Sequence, residues 1–267
     1  MQHVRYRVDE TDPHIAWIVL DRPAARNAYS DEMIDDLVGA FDAAEADDGV
    51  RCVILTGAGA AFSAGGDLKA MQSHTGMFAG DAVRLRSRYE AGIHRIPRRL
   101  ARFDKPIVAA VNGPAIGAGL DLACMCDIRV AAHSARFGST FVKVGLIPGD
   151  GGAYFLTRTV GFPAALDLVL TGRVIDAEEA LRIGLVHATV ADDALEAAAR
   201  KRAERLARSA PLAVRLAKRL CYRAYESSLD QSLELAAAYQ GIVQNTEDHD
   251  EGVAAILEKR RPVFKGT

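Results

Sequence analysis

The sequence predicts an α/β protein with a parallel sheet in its first two-thirds and an all-helical region behind it. Three observations carry that reading. Apolar runs rich in β-branched residues at 15–20 and 50–56 flank one helical pattern, an order and crossover length that suit parallel strands. Two stretches of small residues, 57–68 and 112–123, each follow such a run. From about Asp192 onward, strand candidates give way to Ala- and Leu-rich helical patterns.

A chain of 267 residues is long enough to bury a sizeable core. Apolar residues at 49%, charged residues at 25% and a net charge of -2 describe an ordinary globular protein. They supply no basic excess for nucleic acid or an anionic membrane, so neither is expected as a partner. Cys52, Cys124, Cys126 and Cys221 form neither a C-x-x-C pair nor a dense framework. They are expected to be reduced, buried thiols in a cytosolic protein, with no bound metal. The first ten residues, with Arg5, Arg7, Asp9 and Glu10, contain no apolar signal region, and no apolar stretch reaches spanning length. A cytoplasmic location is expected.

Taken in order, the run 15–20 reads as a buried strand, which Pro23 and its polar neighbours break. Ser30 is a candidate N-cap for a helix in which Met33, Leu37, Val38, Phe41 and Ala44 recur at helical spacing. The run 50–56 returns to strand. The small-residue stretch behind it opens like a dinucleotide fingerprint, but Phe62 fills the third glycine position, which argues against nucleotide-dependent redox chemistry. Residues 71–80 read as a loop containing a solvated His74, and 81–102 as one arginine-rich helix with a mostly solvated charged face. Strands are expected at 105–111 and 127–132, and Asp176 with Glu179 fits a helix start. Helices are expected at 192–208, at 211–226 opened by Pro211, at 228–244 and at 248–260. The domains are therefore 1–195, the α/β core, and 196–267, the helical region.

The stretch 112–123 leaves an apolar run through a Gly-Pro turn and enters a helix of small residues carrying Asp121. First-turn amides have no partner inside their helix and can hold an anion or a polarised carbonyl oxygen. Asp121 follows Ala118 by three residues, which are neighbours on one helical face, so donor and acid would point into one pocket. A second amide from the loop 57–68 would complete a donor pair for charge building on a carbonyl oxygen. No G-x-S-x-G elbow is present, which leaves proton transfer by carboxylates as the chemistry.

The motifs Phe62-Ser63-Ala64-Gly65-Gly66-Asp67-Leu68, Asn112 to Ala123, Cys126-Asp127, Phe137-Gly138 and Gly145-Leu146-Ile147-Pro148-Gly149-Asp150-Gly151-Gly152 resemble the crotonase superfamily, the enoyl-CoA hydratase/isomerase family. That resemblance covers nearly the whole chain. It implies a ββα spiral core, a helical C-terminal region that trimerises, and an acyl-coenzyme A thioester substrate that brings coenzyme A with it and needs no separate cofactor. The oxyanion-hole amides would be those of Gly66 and Ala118. Arg26, Ala64, Asp67 and Leu68 would line the coenzyme A, while Phe264 and Lys265 would reach the nucleotide of a neighbouring subunit, in a homotrimer or a dimer of trimers.

The resemblance also marks a departure. Hydratases carry glutamates at the positions of Asp121 and Phe141, and a phenylalanine transfers no proton. Asp121 is similar to what dienoyl-CoA isomerases carry, and Asp150 falls where some hydrolytic and dehalogenating relatives place an acting aspartate. One carboxylate suffices to move a double bond, and Phe141 would keep water from the acyl pocket. Isomerase-type proton transfer by Asp121 is therefore favoured. A hydratase, or a thioester or C–C hydrolase using Asp150, is the alternative, and a non-catalytic acyl-CoA-binding protein is the third. Structural roles stay open beside these: Asp150 as a helix N-cap, Asp121 as a buried residue paired with an arginine, Asp67 as a cap, and Phe264 as packing.

Overall fold

Six strands make the main sheet and three short ones a second sheet, in a computed structural model that describes residues 1–267. In chain order the first half contains β1 (Val4–Val8), β2 (Ile15–Leu20), α1 (Asp31–Ala46), β3 (Cys52–Gly57), α2 (Leu68–Gln72), α3 (Ala82–Ala91), α4 (Arg95–Leu100), β4 (Ile107–Val111), β5 (Ala115–Ile116), α5 (Ala118–Cys124) and β6 (Ile128–Ala132). There follow β7 (Arg136–Gly138), α6 (Gly152–Val160), α7 (Phe162–Thr171), β8 (Val174–Asp176), α8 (Ala177–Arg182), β9 (Ala188–Val190), α9 (Leu195–Ala207), α10 (Pro211–Ala224), α11 (Leu229–Val243) and α12 (Glu247–Leu257). The main sheet runs β1-β2-β3-β4-β6-β9, parallel throughout except for the antiparallel β1 edge.

Every residue of β2 and β4 is buried, because helices cover both faces of the sheet, and that is why these strands read as unbroken apolar runs. Successive side chains still alternate: Ala16, Ile18 and Leu20 face the larger core with Met33, Leu37 and Phe41 of α1. Ile15, Trp17 and Val19 face the other side, against Leu195, Ala199, Ala203 and Ala207 of α9. Four buried residues spaced by four form the stripe on which α9 lies against the sheet. The first helix beyond the expected boundary at 195/196 is thus a layer of the core. Asp9 fastens it, accepting from Trp17 Nε1 at 2.6 Å and pairing with Arg200.

Local signals account for most helix starts. Ser30 caps α1 by accepting from Met33 N, Asp176 caps α8 by accepting from Glu179 N at 2.9 Å, and Pro211 opens α10. Ser228 and Gln231 form a reciprocal capping box on α11. The expected single helix over 81–102 is two, α3 and α4, interrupted at Gly92, whose φ and ψ are both -103°. Its arginines are mostly solvated, as expected, five of the seven being exposed, and Arg95 and Arg99 are the exceptions. Arg99 bonds Asp42 at 2.6 Å and Glu45 at 2.7 Å, and Arg95 pairs with Asp35, so α4 is laced to α1. The expected loop over 71–80 contains the end of α2 and a 3-10 turn, Gly76–Phe78.

Helices α10 to α12 form the tail. Lys218 pairs with Asp127 at 2.7 Å and Arg219 with Asp104, which holds α10 to the core. Cys52, Cys124 and Cys126 are buried, and burial pushes their thiols up, that of Cys124 to about 12. Cys221, expected to be buried, is exposed, because α10 buries none of its residues fully. No helix is long and apolar enough to cross a membrane.

Candidate active site

Two small-residue loops and the segment 26–29 are tied together by backbone groups and by the side chains of Asn27 and Ser63. Asn27, at a φ of 55°, donates its side-chain amide to the carbonyls of Ala58, Ala61 and Phe62 at 3.0, 2.8 and 3.2 Å. Ser63 Oγ donates to the Asn27 carbonyl at 2.8 Å and accepts from Gly65 N at 3.1 Å. Ala64 N donates to the Arg26 carbonyl at 2.9 Å, and Tyr29 N to the Gly65 carbonyl at 2.7 Å. The second loop joins through Ser63 N donating to Pro114 O at 3.1 Å and Ile116 N donating to Ser63 O at 2.9 Å.

Glycine is required where the loops touch. Gly65 has a φ of +78°, and a Cβ there would lie 2.4 Å from the Ile116 carbonyl oxygen and 2.9 Å from Ala118 N. A Cβ on Gly119 would lie 2.2 Å from the Ser63 oxygen. This contact brings Gly66 and Ala118, the two expected donors, to one small cavity of about 20 Å³. Neither amide donates to any protein acceptor. Met71 packs against Gly66, where an added Cβ would lie 2.3 Å from its Cε methyl. Met77, Phe78, Tyr89, Ile93 and Leu146 supply an apolar wall, and Phe141 completes it beside Gly117, whose added Cβ would lie 3.7 Å from the ring.

The two aspartates occupy different places. All seven residues of α5 are buried, so helical spacing alone did not decide where Asp121 points. Asp121 is fully buried, off the cavity wall, with neither carboxylate oxygen hydrogen-bonded. It lies against Gly152, whose added Cβ would be 2.2 Å from Oδ1. Burial first, then the charge of Asp150, pushes its pKa well above the usual carboxylate range. No arginine pairs with it.

Asp150 lines the cavity together with Gly66 and Ala118. It is 7% exposed, and burial raises its pKa to about 6. The helix-cap role is not what it performs: the N-cap of α6 is Gly151, at a φ of 104°, and no side chain caps that end. His94 steadies the loop, its Nε2 donating to the Gly149 carbonyl at 2.8 Å, while its ring packs edge-on to Tyr89.

Of the remaining expected residues, Arg26 and Leu68 are exposed and Ala64 lies beside Arg26. Asp67 caps α2 through Lys69 N and Ala70 N and bonds Arg22 at 3.1 Å. These bonds, which outweigh the effect of its burial, hold its carboxyl below the usual range. Phe264 packs near Gly252 of α12 and its carbonyl accepts from Arg51 at 2.9 Å, whereas Lys265 N donates to Asp248 at 2.6 Å. Neither lines the cavity of its own chain. Residues not singled out from the sequence are Asn27, Tyr29, Met71 and His94. The signal for Asn27 was present as an Asn just after the Pro23 turn, a residue type that tolerates left-handed backbone. His74 is exposed, as expected of a solvated loop histidine.

Comparison with known proteins agrees with this frame. The family model for enoyl-CoA hydratase/isomerase matches residues 10–267. A probable enoyl-CoA hydratase of Mycobacterium bovis is 40% identical over 255 residues, covering 96% of each chain. The 1,2-epoxyphenylacetyl-CoA isomerase of Escherichia coli is 36% identical over 263 residues, covering 98% of this chain and 99% of its own. The crystal structure of an enoyl-CoA hydratase from Bacillus anthracis superposes with a TM-score of 0.92 at 35% identity, covering 100% of both chains. In sequence, in the α/β core with its helical tail and in full-length likeness to solved relatives, the chain belongs to the enoyl-CoA hydratase/isomerase family, with the crotonase fold.

Proposed function

We propose that this enzyme moves the carbon–carbon double bond of an enoyl-CoA thioester through a thioester enolate, with Asp150 carrying the proton. The observation that supports this reading is the meeting, in one small cavity, of two amides without acceptors and a single carboxylate. Asp150 removes a C2 proton from a 3-enoyl thioester, and the negative charge passes to the thioester oxygen held by Gly66 and Ala118 N–H. The same carboxyl then returns the proton at C4. A carboxyl near 6 is ionised at neutral pH yet basic enough to take a proton, and Phe141 and Leu146 keep water from the enolate. Asp121, favoured from its place in the sequence, is fully buried and does not line this cavity. Coenzyme A lies along the rim made by Arg26, Ala64 and Leu68, with Asp67 ordering the turn.

A second reading is hydration, which the names of several relatives favour. Asp150 would then activate water, and the same group could serve a hydrolase. Incubation with 3-enoyl-CoA is expected to produce the conjugated 2-enoyl thioester, with kcat/KM rising through a midpoint near pH 6 because only ionised Asp150 accepts the proton. Comparable conversion of a 2-enoyl thioester to a hydrated product, or release of free coenzyme A, would replace this reading. Binding without any product would reduce the protein to an acyl-CoA binder.

The tail exposes Leu229, Leu233, Ile256 and Leu257, each more than half accessible in the single chain. We infer that a homotrimer or dimer of trimers covers part of this surface and carries Phe264 and Lys265 toward a neighbour's nucleotide. Sedimentation at micromolar concentration is expected to give a multiple of three; a monomeric mass would reject it.

A further inference from the structure

We propose that Tyr29 is a positioning residue whose hydroxyl donates a hydrogen bond to ionised Asp150, tying the proton carrier to the frame that holds the two amides. The inference rests on the Asp150 reading above and adds a second group to that site. Tyr29 already touches both halves of the frame. Its backbone N–H donates to Gly65 O at 2.7 Å and the residue bridges Gly66 as a parallel pair, while its hydroxyl lies 3.5 Å from the carbonyl oxygen of Ala118.

That last distance is at the outer limit of a hydrogen bond, so a phenol that is 3% exposed is left without a good acceptor. The cavity it lines holds one ionisable carboxylate, Asp150, which is itself without a donor. A buried ionised carboxylate with no donor is costly, and a buried hydroxyl with no acceptor is costly too. A hydrogen bond between the two would satisfy both.

The groups that face Asp150 are few. Tyr29 comes from the segment before α1, Tyr89 from α3 and Asp121 from α5, with His94 engaged by the Gly149 carbonyl. No lysine or arginine lines the cavity. Tyr89 is only half-buried and water can satisfy it, whereas Tyr29 has no such outlet. Burial, followed by the charges of Asp150 and Asp121, raises the Tyr29 pKa well above its usual value, so it stays a neutral donor throughout the working pH range.

The test is Tyr29→Phe, which keeps the ring and the backbone pairing and removes only the hydroxyl. Loss of a donor to the ionised form raises the carboxyl's proton affinity, so the acid limb of kcat/KM should move upward by about one pH unit. Turnover should fall about tenfold with KM within twofold. Titration of carboxyl-labelled Asp150 by carbon NMR reads the same shift without reference to activity. Unchanged midpoints in both titrations would overturn the proposal. If the variant does not fold, the ring-carbon shift of Tyr29 in the native enzyme is followed instead: a step near pH 6 supports the bond and a flat response overturns it. Turnover retained in Asp150→Asn would remove Asp150 as the proton carrier, and the NMR titration would still decide whether Tyr29 bonds it.

Discussion

Replacing Asp150 with Asn is expected to lower turnover of a 3-enoyl-CoA by about 10²- to 10⁴-fold, the range for losing a positioned acid/base group. KM should change little, because the amides of Gly66 and Ala118 and the coenzyme A rim remain. The substitution keeps the size of the side chain and removes its proton exchange. Stability should move the other way. The folded-state pKa of Asp150, about 6, lies above the roughly 3.9 of an unfolded aspartate, so between these values the native state holds more protons than the unfolded one. Stability therefore falls as pH rises from 4 toward 6, by up to about 3 kcal/mol, and an uncharged Asn escapes that loss. Thermal melts at pH 8 should show Asp150→Asn at least as stable as the native enzyme while steady-state assays show it nearly inactive. Full activity in Asp150→Asn would refute the assignment.

Gly65→Ala should be comparably damaging to turnover by another route. The new methyl would lie 2.4 Å from the Ile116 oxygen and 2.9 Å from Ala118 N, both backbone atoms that cannot swing aside. The loops must part, and parting them moves Gly66 and Ala118 away from a shared oxygen. Losing one such donor costs about 10²- to 10³-fold in kcat. A non-glycine residue at φ +78° adds strain of about 1–2 kcal/mol. Gly161 separates the two effects: it has the same φ of +78° and nothing within 4 Å of an added Cβ. Gly161→Ala should carry the strain alone and keep its activity, so equal kcat losses in the two alanine variants would show that the loop contact is not what matters.

The sheet was legible because its central strands are covered on both faces. Unbroken runs such as 15–20 and 105–111 have few other uses, and the observed β2 and β4 fall within them. Strand β1 was not, since its VRYRV sequence sits at an edge with three exposed residues. The short pieces β5, β7 and β8 were hidden too: they hold together by pairing with one another rather than by any apolar run of their own. In the site, the glycines of the loop contact could be read because close backbone approach demands a small residue. The direction of the carboxylates could not. A helix exposed on one side tells its faces apart by polarity, but α5 is buried all round, and only the tertiary packing against Gly152 decides that Asp121 turns inward. His94 and Tyr29 meet groups 55 and 89 positions away, which leaves no local pattern to recognise.

Met71 ties the stretch over the cavity to the Gly66 loop. An added Cβ on Gly66 would lie 2.3 Å from the Met71 methyl, so the stretch over the cavity lies directly on that loop. Helices α2 and α3, which flank that stretch, bury no residue of their own. Opening there disrupts little of the core around α1, α9 and the sheet, and local opening of this kind draws on the low end of a protein's range of stabilities. Local opening and endurance of the fold thus draw on different parts of the chain, and α2 and α3 can loosen while the frame around Gly65 and Gly119 stays closed.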